Sequence, residues 1–168
     1  MPTHNISRRT FVARGAGAAL LAGSAASFGR VRGANERIRA GFIGVGNRGG
    51  QLLDAALPNQ DLQIVALCDV YEPYLRRQSA KVEGDVAQYR DFRPMLERSD
   101  IDAIFIATPD HWHAIQTIGA CDAGKDVYVE KPLSITIREG RTMVEAARRR
   151  NRIVQVGTQR RSSALYAQ

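Results

Sequence analysis

Ile38-Arg39-Ala40-Gly41-Phe42-Ile43-Gly44-Val45-Gly46-Asn47-Arg48-Gly49 decides how the rest of the chain reads. A short apolar run ends in glycines, and Gln51 to Leu57 follow with apolar residues at helical spacing, so the stretch reads as strand, turn and helix. Gly44, Gly46 and Gly49 form G-x-G-x-x-G at that junction. The first glycine allows the tight turn, the second lets the backbone approach a pyrophosphate, and the third permits close helix packing. Asn47 and Arg48 stand between the second and third glycines, ahead of a helix whose N-terminal amides and positive dipole end suit phosphates. Asp69 lies 20 residues after Gly49, at the end of the next apolar run, where a carboxylate can accept from the hydroxyls of an adenosine ribose. A carboxylate there repels a 2′-phosphate, so the pattern favours NAD over NADP, although Arg48, Arg76 and Arg77 could weaken that preference.

Outward from this unit, strand and helix keep alternating. Strands are expected at Leu62 to Asp69, Ala87 to Tyr89, Ala103 to Ala107, Asp126 to Val129 and Arg152 to Val156. Helices are expected over 72–82, 92–98, 111–123 with Gly124 as the stop, and 136–150. The almost continuous apolar run Ala103-Ile104-Phe105-Ile106-Ala107 suits a strand covered on both faces. Repeated βα order with short links predicts an α/β fold, a doubly wound parallel sheet of the Rossmann dinucleotide-binding kind, over residues 35–161.

The 168 residues carry a net charge of +7, with 44% hydrophobic and 24% charged residues, which excludes a disordered or collagen-like chain. The excess charge sits at the start: Arg8, Arg9, Arg14, Arg30, Arg32, Arg37 and Arg39 stand against Glu36 alone in the first 40 residues, leaving the remainder at +1. A body so close to neutral argues against a nucleic-acid partner. Ser7-Arg8-Arg9-Thr10-Phe11-Val12, followed by small apolar residues from Gly15 to Phe28, resembles a twin-arginine export signal over residues 1–34. Cleavage is expected after Ala26, with Gly29 and Ala34 as further sites, and export to the periplasm follows. That route carries folded proteins, so a nucleotide could be loaded before export. The leader is too short to span a bilayer, and no stable membrane span is expected elsewhere.

Two further loops carry chemistry. Thr108-Pro109-Asp110-His111-Trp112-His113 follows the fourth expected strand and Glu130-Lys131-Pro132 follows the fifth, both at the strand ends where open α/β sheets bind ligands. His111 and His113 lack a third ligand at matching spacing, so no metal is expected. Trp112 could stack on a sugar or simply pack. Cys68 and Cys121 read as buried small residues rather than a disulfide.

These loops, with Ala120 and Gly124-Lys125 ahead of Glu130-Lys131-Pro132, resemble the Gfo/Idh/MocA family of glucose-fructose oxidoreductase and inositol dehydrogenase relatives over about residues 38–161. The resemblance implies that Lys131 is the active-site lysine, whose ammonium would stabilise charge developing on the substrate hydroxyl as hydride leaves. It implies that Glu130 orients the loop, that Thr108, Pro109 and His113 line the cofactor site, and that Gln159 and Arg160 flank the nicotinamide, with Gln in place of the usual Asn. It further implies a sugar or polyol substrate and a following α/β domain that carries a second catalytic group and the homo-oligomer interface. Residues 162–168 are expected to begin that domain. Some relatives use tightly held NAD during glycoside cleavage, and a non-catalytic nucleotide-binding module is a third reading.

Overall fold

The expected strands form in a computed structural model of the chain, which describes residues 37–158. β1 (Ile38–Ile43) leads into α1 (Asn47–Ala56), β2 (Leu62–Cys68) into α2 (Glu72–Ser79), and β3 (Ala87–Tyr89) into α3 (Phe92–Leu96). After β4 (Ala103–Ile106) come a 3₁₀ turn at Asp110–Trp112 and α4 (His113–Asp122). β5 (Asp126–Glu130), α5 (Ile137–Arg150) and β6 (Val154–Gly157) complete the described chain. The strands lie in the order β3-β2-β1-β4-β5-β6, and each neighbouring pair is parallel. The order in which strands are added reverses between β1 and β4, which opens a crevice at their carboxyl ends.

Helices on both faces bury the sheet. On one face Phe42, Ile64 and Leu67 pack with Leu53 of α1 and Leu75 of α2. On the other, Ile104, Ile106, Val127 and Val129 pack with Met95, Ala120, Cys121, Met143 and Ala146 from α3, α4 and α5. Phe42, Phe105 and Tyr128 are register partners across β1, β4 and β5. Their rings form a ladder, with centroids 4.5 Å apart for the first pair and 5.4 Å for the second. Such pairs add about 0.5–1.5 kcal/mol each beyond the area they bury.

The helix boundaries show where periodicity misleads. α1 begins at Asn47, four residues before its apolar pattern. Gly49 and Gly50 belong to the helix because it passes so close to Gly44 and Gln78 that an added Cβ would collide with the Gly44 carbonyl oxygen or the Gln78 amide. α4 begins at His113 rather than His111, because the chain after Pro109 first makes the 3₁₀ turn. Gly124 ends α4 with φ +77°, as expected of a C-terminal stop. α5 starts with a capping box, in which Thr136 accepts from the Glu139 amide and Glu139 accepts from the Thr136 amide.

At the opposite end of the strands Asp100 is held in a fork. Arg98 donates to both its carboxylate oxygens at 2.8 and 2.7 Å, and Arg39 of β1 donates to Oδ2. The Arg98 hydrogen bonds, opposed in part by burial and helped by the hydrogen bond from Arg39, hold the Asp100 carboxyl well below the usual carboxylate range. A pKa depressed on folding gives stability that is present above the unfolded value of about 3.9 and is lost as pH falls below it. The pair is part-exposed, so solvent reduces its strength. Asp100→Asn is therefore expected to lower the urea midpoint at pH 7, with the difference from the native chain shrinking between pH 5 and pH 3. A difference that stays constant over that range would contradict the assignment.

Candidate cofactor site

A cavity of about 630 Å³ opens at the carboxyl ends of β1, β2 and β4, within the range of small-molecule sites. Gly44, Gly46 and Asn47 form one wall, Asp69 to Tyr71 a second, and Thr108, Pro109, Trp112 and Gln116 a third. Gly44 has φ +80°, and its amide donates to the Cys68 carbonyl at 2.8 Å, so the loop turns sharply over the end of β2. No side chain caps α1 and no acidic residue lies in its first turn. Its N-terminal amides and positive dipole end are thus free of a protein anion, the arrangement that receives a phosphate.

Asp69 shapes this loop directly. Its Oδ2 accepts from the Val45 amide and its Oδ1 from the Tyr71 amide, both at 2.9 Å. Each carboxylate oxygen has a second lone pair, so both remain able to accept from sugar hydroxyls. Nearby cations are engaged by other groups. Arg76 pairs with Glu72 at 2.9 Å, and Arg77 lies over the Tyr74 ring at 5.2 Å. Arg90 donates to the Val70 carbonyl, while Arg93 pairs with Asp91 and lies over Phe92 at 5.0 Å. Cys68 also lines the cavity, but its thiol is pushed up to about 12 by burial and then by the charges of Asp69 and Asp91, so it stays neutral.

Arg48 reaches toward the end of β5. Its Nε and Nη2 meet Glu130 Oε1 at 2.8 and 2.7 Å, and its Nη1 donates to Gln51 at 3.1 Å. The Tyr128 hydroxyl donates to the same Glu130 oxygen at 3.3 Å. Glu130 is 3% exposed, and its Oε2 has no partner among the described residues. A buried carboxylate oxygen left in that state is costly. Lys131, next in the chain, is exposed at the end of β5.

His113 is 1% exposed and bridges two loops. Its Nδ1 lies 2.7 Å from the Pro132 carbonyl oxygen and its Nε2 2.9 Å from that of Thr108. The imidazole therefore acts on the site by holding the ends of β4 and β5 together, with both nitrogens turned to backbone. His111 is exposed beside Asp110 and does not converge with it on a ligand position. Trp112 is 39% exposed on the cavity wall, edge-on to Phe92 at 6.4 Å. Gln159 and Arg160 lie outside the described residues, as does the leader.

Glycine loop, uncapped helix start, Asp69 and switch-point cavity together define a dinucleotide-binding domain. The chain belongs to the Gfo/Idh/MocA oxidoreductase family, whose NAD-binding Rossmann fold matches residues 38–158. A glycosyl hydrolase family 109 protein of Shewanella sp. (strain W3-18-1) is 34% identical over 123 residues, which cover 67% of this chain and 26% of that protein. The myo-inositol 2-dehydrogenase of Lactobacillus plantarum is 31% identical with a TM-score of 0.73, covering 78% of this chain and 39% of the solved one. The scyllo-inositol dehydrogenase of Lactobacillus casei, solved with NAD(H) and scyllo-inositol, is 28% identical with a TM-score of 0.72 over 78% and 39% of the two chains. This chain thus spans about a quarter of the curated relative and two fifths of the solved structures.

Sequence reading missed several residues that the fold brings to the cavity. Tyr71 and Tyr74 come from the start of α2, Arg90 to Arg93 from the end of β3, and Gln116 from the second turn of α4. Gln116 had one available signal, its position one helical turn after His113 on the buried side of α4.

Proposed function

We propose that this chain is the cofactor half of an NAD-dependent oxidoreductase that takes hydride from a hydroxyl-bearing carbon of a sugar or cyclic polyol. The observation that carries the reading is the placement of Lys131. It follows Glu130, which Arg48 ties to the glycine-loop helix, and precedes Pro132, whose carbonyl faces His113. Those two ties hold its backbone beside the proposed nicotinamide end, leaving the ammonium free to reach a substrate oxygen. When bound, nicotinamide supplies the hydride acceptor. The ammonium then hydrogen-bonds the reacting hydroxyl and stabilises the negative charge that grows on oxygen. Glu130 orients the loop through its pair with Arg48, and Gly44, Gly46, Asn47 and Gly49 hold the pyrophosphate. Asp69 accepts from the adenosine ribose and disfavours a 2′-phosphate, so NAD is the preferred cofactor.

Substrate walls, a second proton-handling group and a homo-oligomer interface are proposed to lie in a further domain, in keeping with the longer relatives. Glycoside cleavage with transient oxidation is the alternative reading, which the family 109 relative, a member of the same superfamily, does not favour over the first. Accumulation of NADH with a free polyol separates the first reading from the second, which leaves no net NADH. Residues 1–34 are proposed to direct twin-arginine export to the periplasm.

Lys131→Met in the full-length gene product is expected to cut polyol-dependent NAD reduction by about a hundredfold or more while leaving NAD affinity within about twofold. An unchanged rate with an inositol and aldose panel would remove Lys131 from the chemistry. For the leader, replacing Arg8 and Arg9 by Lys is expected to abolish export of a fused reporter, and undiminished export would overturn the signal assignment.

A further inference from the structure

Gln116 is 3% exposed, yet it lines the cavity. Its Oε1 accepts from the Thr108 hydroxyl at 2.7 Å, which fixes the orientation of the side-chain amide. With the oxygen engaged, Nε2 is left with two hydrogens and no acceptor among the described residues. An amide donor in so buried a position gains most when a ligand supplies its acceptor. Thr108 is well placed to hold it, since its own carbonyl faces His113 at 2.9 Å.

The surrounding surface suits a flat ring. Val70 is 75% exposed and Tyr71 55%, on the wall beside Asp69, and Pro109 and Trp112 stand on the wall beside Thr108. Large apolar side chains left open to solvent at the mouth of a cavity offer stacking area that a planar heterocycle would cover. Asp69, on the same wall as Val70 and Tyr71, provides acceptors for a sugar attached to that ring. The donor, the apolar walls and the acceptor belong to one cavity.

We infer that Gln116, tethered by Thr108, reads the purine of the cofactor by donating from Nε2 to a ring nitrogen and so strengthens the hold on the adenosine half. This rests on the assignment of the cavity to the cofactor. Adenine offers only acceptors at its ring nitrogens N1, N3 and N7, so a lone donor complements any of them. Gln116 acts on affinity for the adenosine half and not on the hydride step. Thr108 acts through Gln116 as a positioning residue.

The test uses the 168-residue chain and calorimetric titration with NAD, ADP-ribose and nicotinamide mononucleotide. Gln116→Glu keeps the oxygen that serves Thr108 and replaces the donor by an acceptor. It is expected to weaken NAD and ADP-ribose about tenfold and to leave the mononucleotide unchanged, while Thr108→Val weakens the first two about threefold. Native affinity in Gln116→Glu, or an equal loss for the mononucleotide, would overturn the inference. Should these variants fold poorly, the native chain can be titrated with 1-deaza, 3-deaza and 7-deaza ADP-ribose. One of the three is expected to bind about tenfold more weakly than ADP-ribose, and three equal affinities would contradict the contact. Failure of the native chain to bind either NAD or ADP-ribose would instead reject the cofactor assignment beneath it.

Discussion

One carboxylate holds the glycine loop to the neighbouring strand. Asp69 accepts from the Val45 amide in the loop after β1 and from the Tyr71 amide at the start of α2, so two successive βα units meet at a single charged group. Charge-assisted bonds of this kind are worth about 1.5–3 kcal/mol each. With the loop fixed, α1 starts immediately beneath it, where Gly49 lies against the Gly44 carbonyl. That close approach presents the uncapped amides of α1 to the cavity. The residue proposed to disfavour a 2′-phosphate is therefore part of the same scaffold as the proposed pyrophosphate site.

A second set of ties serves the other end of the site. Arg48 reaches from the first turn of α1 to Glu130 at the end of β5, and His113 spans from the end of β4 to Pro132. The three loops that carry the glycine motif, Thr108-Pro109 and Glu130-Lys131-Pro132 are thus joined by side chains rather than by their own backbones. Buried polar groups joined in this way are expensive to disturb, because removing one leaves its partner unsatisfied. The unpartnered Glu130 Oε2 is the exception within that network and lies beside the residue proposed to meet substrate.

The sheet was legible because its strands are short apolar runs separated by helical periodicity, and because Gly44, Gly46 and Gly49 punctuate the first junction. Asp69 was singled out by its place at the end of the second apolar run, and Lys131 by the family resemblance of Glu130-Lys131-Pro132. What periodicity cannot report is where a long polar side chain goes. Arg48 reads as a cofactor-binding residue by its place in the motif, and the fold shows its guanidinium paired with a carboxylate 82 residues away. His113 reads as a residue facing the cofactor, and only the packed loops show both of its nitrogens turned to carbonyls. Gln116 passes for an ordinary helical residue until Thr108 and the cavity are seen together. The onset of α1 was hidden for a related reason, since glycines that allow close packing carry no apolar pattern.

The most direct measurement is a paired titration of the 168-residue chain with NAD and NADP at fixed ionic strength. Asp69 at the proposed ribose position, with Arg48, Arg76 and Arg77 engaged by other groups, leads to saturable NAD binding and an NADP affinity at least about tenfold weaker. Equal affinities, or tighter binding of NADP, would contradict the placement of Asp69 on which the account of the site depends.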